Sequence, residues 1–382
     1  MARILITGGA GFIGSNLARA LISLGHEVRT LDVRESDAPG HVVADVTDLQ
    51  SVRAACRGVD YVFHLAAVTS PPEFADPLGE GYRVNVMGTY NVLAAALSEG
   101  ARRVILASSS AVYGDIGVPA REEMVPSVYG NLYPLTKLVN ELTARTFVEH
   151  GLETISLRYF NTYGVERSKG GTASVVWRFI DDVVSGRRPV IYGDGTQRRD
   201  FVYVEDAVRA TILAMERGRP GEAYNVGTGV STTFNDVFRI VKEETGYEGE
   251  PLYVPNPLRS YQRFTQADTS KARRELGFEA AYDLRAGVRR TLELLGQGSG
   301  RGHRADKENG SWCGAPAISG HKLVNIIKFI KFLATDKPRR PFSAMPPNAG
   351  LRQLLSVEGN EVQVRGIVRA SRLAIIVHHR LT

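Results

Sequence analysis

Cysteine is nearly absent from this chain of 382 residues. There are two, Cys56 and Cys313, far apart and without His or Cys neighbours at metal-ligand spacing. That excludes a disulfide framework and a zinc module, and it predicts a reducing, cytoplasmic setting. Long apolar runs are missing too. None approaches the ~18 residues that a membrane-spanning helix needs, and the N-terminal "MARILITGG" enters a strand directly, with no charged-then-apolar leader. No internal repeat is present. Glycine, by contrast, is plentiful at 39 residues in a chain that is 43% hydrophobic, which suits a globular protein with a sizeable core and many tight turns. The length suits two domains, or one large α/β unit with an extension.

Negative charge is scarce in one region only. Residues 299–382 hold 14 Lys and Arg against 5 Asp and Glu, a net of +9. The other 298 residues hold 33 against 36, a net of −3. The basic character of the chain therefore belongs to its tail and implies no nucleic-acid partner for the main body.

From the first residues, apolar strand-like runs alternate with helical ones. Strands are predicted at 3–7, 27–32, 41–45, 61–67, 103–109 and 153–160. Helices are predicted at 12–25, 48–58, 82–99 and in the segment that begins at Tyr133. This rhythm predicts an α/β fold with a doubly wound parallel sheet of Rossmann type. Past residue 160, Gly-, Arg- and Asp-rich loops join shorter elements. The expected organisation is a dinucleotide-binding domain over 1–160, completed by parts of 185–230, and a smaller α/β substrate lobe over 161–295. A Gly- and Ser-rich linker follows at 296–311, then a basic accessory extension at 312–382. Within the extension, 321–341 contains a basic, apolar helix candidate and 361–379 alternates like two strands. A membrane-surface or acidic-polymer contact is the sharper reading of that segment, and packing against the body the plainer one.

Two local patterns carry chemistry. The first is "TGGAGFIGS" (7–15), which follows the first strand and opens a helix with Gly8, Gly11 and Gly14 in G-x-x-G-x-x-G spacing. Glycine permits the tight turn and the close approach of backbone to a pyrophosphate, and the helix-start amides face the anion. Asp32 ends the second strand 18 residues after Gly14, placed to accept from adenosine ribose hydroxyls and to repel a 2′-phosphate; Arg34 nearby softens that preference. The second is "YPLTK" (133–137), where Tyr133 and Lys137 lie four apart on one helix face. A phenol titrates near pH ~10, and a neighbouring ammonium favours the phenolate. The pair reads either as a tuned acid/base or as an ordinary surface pair.

Together these patterns resemble the extended short-chain dehydrogenase/reductase family, and within it the nucleotide-sugar epimerases and dehydratases. The resemblance covers about residues 1–295. It rests on "TGGAGFIGS", "HLAA" (64–67), "VNVMGT" (84–89), "SSSAVYG" (108–114), "YPLTK", "LRYFNTYG" (157–164) and "GDGTQRRDFVYVED" (193–206), in the family's order. It implies NAD as cofactor, held by Gly8, Gly11, Phe12, Ile13, Gly14, Asp32, Asp45, Val46, Leu65, Ala66, Ala67, Asn85 and Phe160 together with Tyr133 and Lys137. It implies Tyr133 as the base toward a sugar hydroxyl, Lys137 as its electrostatic partner and ribose contact, and Ser109 as the bond to the reacting oxygen. For a nucleotide-diphosphate sugar it implies Ser109, Ser110, Tyr133, Asn161, Arg199 and Arg259, and the family's usual assembly is a homodimer. No metal is implied.

The chain departs from the family's dehydratases at Ser110 and Ala111, where those enzymes usually carry an Asp-Glu pair that eliminates water. Decarboxylases also usually show an acid near there. The surviving expectation is redox-neutral inversion at C4 through a 4-keto sugar, of the UDP-glucose/UDP-galactose type. The alternatives are another nucleotide-sugar modifier, such as a uronic acid epimerase or a dehydratase, and a non-enzymatic dinucleotide- or RNA-binding relative. Against the last stands the retention of both Tyr133 and Lys137. After the late Arg259 the chain has Tyr261 and Gln262 where the family often has Gly and an acid. Thr265 falls roughly where the family gates the C2 substituent.

Overall fold

The computed structural model describes residues 1–69, 79–124, 126–127, 132–166, 173–256 and 262–298, and the strands within 354–377. β1 (Arg3–Thr7), β2 (Glu27–Asp32), β3 (His41–Val43), β4 (Tyr61–His64), β5 (Arg103–Ser109) and β6 (Glu153–Tyr159) alternate with α1 (Phe12–Ser23), α2 (Leu49–Cys56), α3 (Glu80–Tyr82), α4 (Gly88–Ser98) and α5 (Leu132–Glu149). Beyond them come β7 (Asn161–Tyr163), α6 (Val175–Val184), β8 (Val190–Tyr192), β9 (Arg198–Tyr203), α7 (Val204–Arg217), β10 (Ala223–Val226), β11 (Ser231–Thr233), α8 (Phe234–Thr245), β12 (Leu252–Val254), α9 (Ser270–Leu276) and α10 (Leu284–Gly298).

Seven strands form one parallel sheet in the order β10-β6-β5-β4-β1-β2-β3. The apolar runs of the sequence explain it. Successive side chains of a strand point to opposite faces, and here both faces are covered. Ile4, Ile6, Phe63, Ile105 and Ile155 enter one core with Leu17 and Leu21 of α1 and Ala207 and Ala214 of α7. Leu5, Val62, Val104 and Leu106 enter the other, with Val52 of α2, Val92 and Leu93 of α4 and Ala144 of α5. Central parallel strands buried on both sides have no polar face to alternate with, so they read as continuous hydrophobic runs.

Smaller sheets build the lobe. β11, β9 and β7 form one, with β9 antiparallel to β11 and parallel to β7, and β12 pairs with β8. Residues 1–304 and 305–382 form two separate units. In the second, β13 (Leu354–Glu358), β14 (Glu361–Ala370) and β15 (Leu373–Val377) form an antiparallel sheet. The alternation at 361–379 is thus two strands, with a third before them. The helix candidate at 321–341 and most of the linker lie outside the described residues.

Three boundaries differ from the periodicity, and each difference shapes the cleft. The strand expected over 61–67 stops at His64, which pairs with Thr7, the last residue of β1. The last backbone bond to β1 runs from the Leu65 amide to the Thr7 carbonyl at 3.0 Å; once β1 turns away at Gly8, residues 66–67 leave the sheet. The strand expected to 45 ends at Val43, freeing Asp45 and Val46. The helix expected over 82–99 contains a π turn, Arg83–Met87, which carries Asn85. Such wide turns often mark functional positions.

Candidate active site

A cleft of about 900 Å³ opens at the carboxyl ends of the parallel strands. The chain leaves β1 to form β2 and β3 on one side, then crosses to β4 on the other, so β1 and β4 flank the topological switch point where ligands bind in such sheets. The turn after β1 and the loop after β4 meet there. Gly8 has φ +73°, and a Cβ on it would lie 2.6 Å from the Ala66 amide nitrogen. Gly14 packs so closely on the Gly8 carbonyl that a side chain there would overlap it. Phe12, Ile13 and the glycines Gly8, Gly11 and Gly14 line the cleft floor, with Leu65, Ala66 and Ala67 facing them. This cradle has the shape and the backbone donors that a pyrophosphate requires.

At one end of the cleft Asp32 is buried. Its carboxylate accepts from the Ala10 amide at 3.1 Å and from Arg34, whose Nε donates at 3.2 Å. An anionic acceptor at this place suits ribose hydroxyls, and Arg34 partly neutralises it. Asp45 accepts from the Thr47 amide at 2.8 Å. Val46 packs against Gly88, where a Cβ would come within 2.6 Å of the valine Cγ2. Both Asp45 and Val46 line the cleft.

At the other end lie Ser109, Tyr133 and Lys137. Ser109 closes β5, accepts from the Ala111 amide at 3.2 Å and is hydrogen-bonded to Tyr133. The Lys137 ammonium is buried, 5.7 Å from the centre of the Tyr133 ring, and donates to the Ala107 carbonyl at 2.8 Å. Burial pushes Lys137 down to about 8, and Glu141 one turn further along pulls it back up. Burial pushes the Tyr133 phenol above its ordinary value, and the bond to Ser109 opposes that. The lowering expected from the lysine is therefore not the dominant influence on this tyrosine. Asn85 does not line the cleft. Its amide holds both backbone groups of Val68, at 2.8 and 3.0 Å, and donates to Thr136 Oγ1 at 3.1 Å, tying the loop after β4 to the helix turn that carries Lys137. His64 is buried between Thr7 and Thr89 hydroxyls and is pushed down to about 3, first by burial and then by Lys137, so it is a neutral structural group.

Phe160 and Asn161 line the cleft after β6. Ser110 is buried in the 3-10 turn after β5 and is not part of the lining. Arg199 is also buried away from that lining, within the lobe; it donates to the Arg198 carbonyl at 2.8 Å and to the Gln262 carbonyl at 2.5 Å. Thr265 accepts from the Asp200 amide at 3.4 Å. Arg259 lies outside the described residues. Sequence reasoning passed over Asp200. Fully buried, its carboxylate takes the Thr228 amide and hydroxyl, the Gly229 amide and the Ala267 amide, at 2.7 to 3.0 Å, and so fastens β9 to two lobe loops. The only signal was an acid inside the otherwise apolar "DFVYV".

Comparison with known proteins agrees with this fold. A putative UDP-glucose 4-epimerase of Methanocaldococcus jannaschii is 34% identical over 304 residues, 76% of this chain and 98% of the relative. A UDP-N-acetyl-alpha-D-glucosaminuronate decarboxylase of Bacillus cytotoxicus is 35% identical over 269 residues, 66% of this chain and 83% of the relative. The crystal structure of the Thermotoga maritima UDP-glucose 4-epimerase with UDP-glucose superposes with a TM-score of 0.73 at 33% identity, covering 78% of this chain and 99% of that one. The profile of the NAD dependent epimerase/dehydratase family matches residues 4–227. That match runs from β1 through the cleft into the lobe, and this chain therefore belongs to the NAD-dependent epimerase/dehydratase family, with NAD as its cofactor.

Proposed function

We propose that the protein epimerises a nucleotide-diphosphate sugar at C4, interconverting UDP-glucose and UDP-galactose. The observation that carries this reading is Tyr133, bonded to Ser109 and backed by Lys137, at the strand ends beside the dinucleotide cradle, with Ser110 and Ala111 in place of a second acid/base pair. Bound NAD would supply a reversible hydride acceptor for the C4 hydrogen, so the overall reaction would involve no net redox change. Tyr133 takes the C4 hydroxyl proton and later returns it, Ser109 holds the C4 oxygen, and the Lys137 ammonium favours the phenolate form of Tyr133. Asn161, which lines the cleft, and Arg259 anchor the diphosphate while the 4-keto sugar turns over, and Arg199, expected from the resemblance to join them, braces the lobe through the Arg198 and Gln262 carbonyls instead.

The Bacillus cytotoxicus relative favours a second reading, action on a uronate. A ketone at C4 is β to a C5 carboxylate, so oxidation there labilises CO₂. Incubation with UDP-glucose, UDP-galactose, their N-acetyl forms and UDP-glucuronate, followed by separation of the product sugars, distinguishes the two. The expected result is C4 interconversion without net NADH. Release of CO₂ supports the second reading. Accumulation of NADH, or of a 4-keto-6-deoxy sugar, overturns both.

The same reading includes a homodimer. α4, the π turn before it and α5 share a surface on which Tyr90 packs edge-on against Phe147 at 6.0 Å, and Met87, Tyr90 and Leu142 are 50, 49 and 55% exposed. Apolar side chains gathered on one helical face mark an interaction surface. Light scattering should give twice the 41.7 kDa chain mass, and Leu142→Arg should shift the protein to that of one chain. A wild-type monomer at micromolar concentration removes this part of the proposal.

A further inference from the structure

Beneath the Tyr133–Lys137 pair lies a third side chain. Glu141 is one turn beyond Lys137, so Tyr133, Lys137 and Glu141 stack at i, i+4 and i+8 on one face of α5. These three meet three consecutive residues at the end of β5. Tyr133 bonds Ser109, Lys137 donates to the Ala107 carbonyl at 2.8 Å, and the Glu141 carboxylate accepts from the Ser108 hydroxyl. Glu141 also accepts from Arg158 of β6 through two guanidinium nitrogens, at 2.9 and 2.7 Å. Arg158 is held in turn. It donates to Tyr113 Oη at 2.9 Å and to the Glu122 carbonyl at 3.0 Å, and its guanidinium lies 4.9 Å from the centre of the Tyr113 ring. Glu141 and Arg158 are both buried. A buried ion pair is a weak source of stability, because desolvation of two charges offsets their attraction. Its position suggests another use.

We propose that Glu141 is a positioning residue for the proton transfer: clamped by Ser108 and Arg158, it fixes α5 on the end of β5 and supplies the buried negative charge that keeps the Lys137 ammonium charged beside Tyr133. The proposal rests on the reading of Tyr133 and Lys137 given above. The titratable groups facing Lys137 are Tyr133 and Glu141 on its own helix, His64 from β4, which is neutral, and Arg158 from β6 behind Glu141. Of these only Glu141 is negative. Burial lowers the lysine's proton affinity and Glu141 raises it. The folded lysine thus keeps its charge at neutral pH and loses it as the pH rises through about 8. Without Glu141 the loss moves to lower pH.

The test is an NMR titration of isotope-labelled lysine in the full-length, NAD-bound protein, with the Lys137 resonance assigned by its absence from Lys137→Met. In Glu141→Gln the Lys137 midpoint should fall by about one pH unit, roughly tenfold in proton affinity. In Arg158→Gln it should rise, because a neighbouring positive charge has gone. Mere loosening of the fold would admit water and raise both midpoints toward the ordinary lysine value of ~10.4. A Glu141→Gln midpoint that is unchanged or raised overturns the proposal. If that variant does not fold, an unchanged or lowered midpoint in Arg158→Gln overturns it. In turnover, the alkaline limb of the Glu141→Gln kcat profile should move by the same amount, with KM unaltered. A wild type that turns over no sugar nucleotide defeats the proposed function, while the titration still decides the part played by Glu141.

Discussion

Replacing Tyr133 with Phe lowers kcat for C4 interconversion by about 10²- to 10⁴-fold, the range for loss of a general acid/base. The variant keeps the ring and loses one oxygen. That oxygen bonds Ser109 at the end of β5, and the Phe ring fills the same space beside Lys137. Its removal gives up the bond to Ser109, a loss of about 1 kcal/mol for a typical hydrogen bond, which the fold can bear. NAD content and Tm should therefore stay close to wild type. The two readings of a Tyr-x-x-x-Lys pair diverge sharply here. A pair that only decorates α5 would leave turnover nearly unchanged, so retention of more than about a tenth of wild-type kcat, outside the general-base range, removes Tyr133 from the chemistry.

Gly8→Ala should give the second large effect, on the cofactor rather than on the proton. Two penalties add. The backbone at φ +73° lies in the left-handed region, which costs an L-residue with a Cβ roughly 1–2 kcal/mol. The new Cβ would also meet backbone atoms of the loop after β4, 2.6 Å from the Ala66 nitrogen and 2.7 Å from the Leu65 carbonyl carbon. Backbone on both sides yields less readily than a side chain, so the cradle must open. A combined penalty of about 3 kcal/mol corresponds to ~10²-fold weaker NAD binding. Cofactor released from acid-treated protein, measured against chain concentration, reports it directly. A Gly8→Ala protein that purifies with the wild-type NAD content and Tm shows that the turn tolerates a Cβ and that the cradle is not as tight as described.

The sequence by itself determined the sheet. In "RILIT" and "RVILASS" the consecutive residues Ile4, Leu5 and Ile6, and Val104, Ile105 and Leu106, are apolar and buried, and strands covered on both faces leave no other pattern to read. It determined the glycine turn as well, because Gly8 and Gly14 stand where no other side chain fits between backbone segments. The spacing of Tyr133 and Lys137 was legible because a helix converts a separation of four into a shared face. Tertiary structure decided the rest. Where β4 ends depends on β1 turning away after Thr7, a neighbour's property that the residues 61–67 do not carry. Burial lowers the proton affinity of Lys137, Glu141 opposes it, and Glu141 is held by Ser108 and Arg158, which arrive from two other strands. Asp200 looked like one acid among many until two loops far along the chain delivered their amides to it. Periodicity records which face of an element is buried. It does not record which element buries it, and buried charge takes its proton affinity from those long-range neighbours.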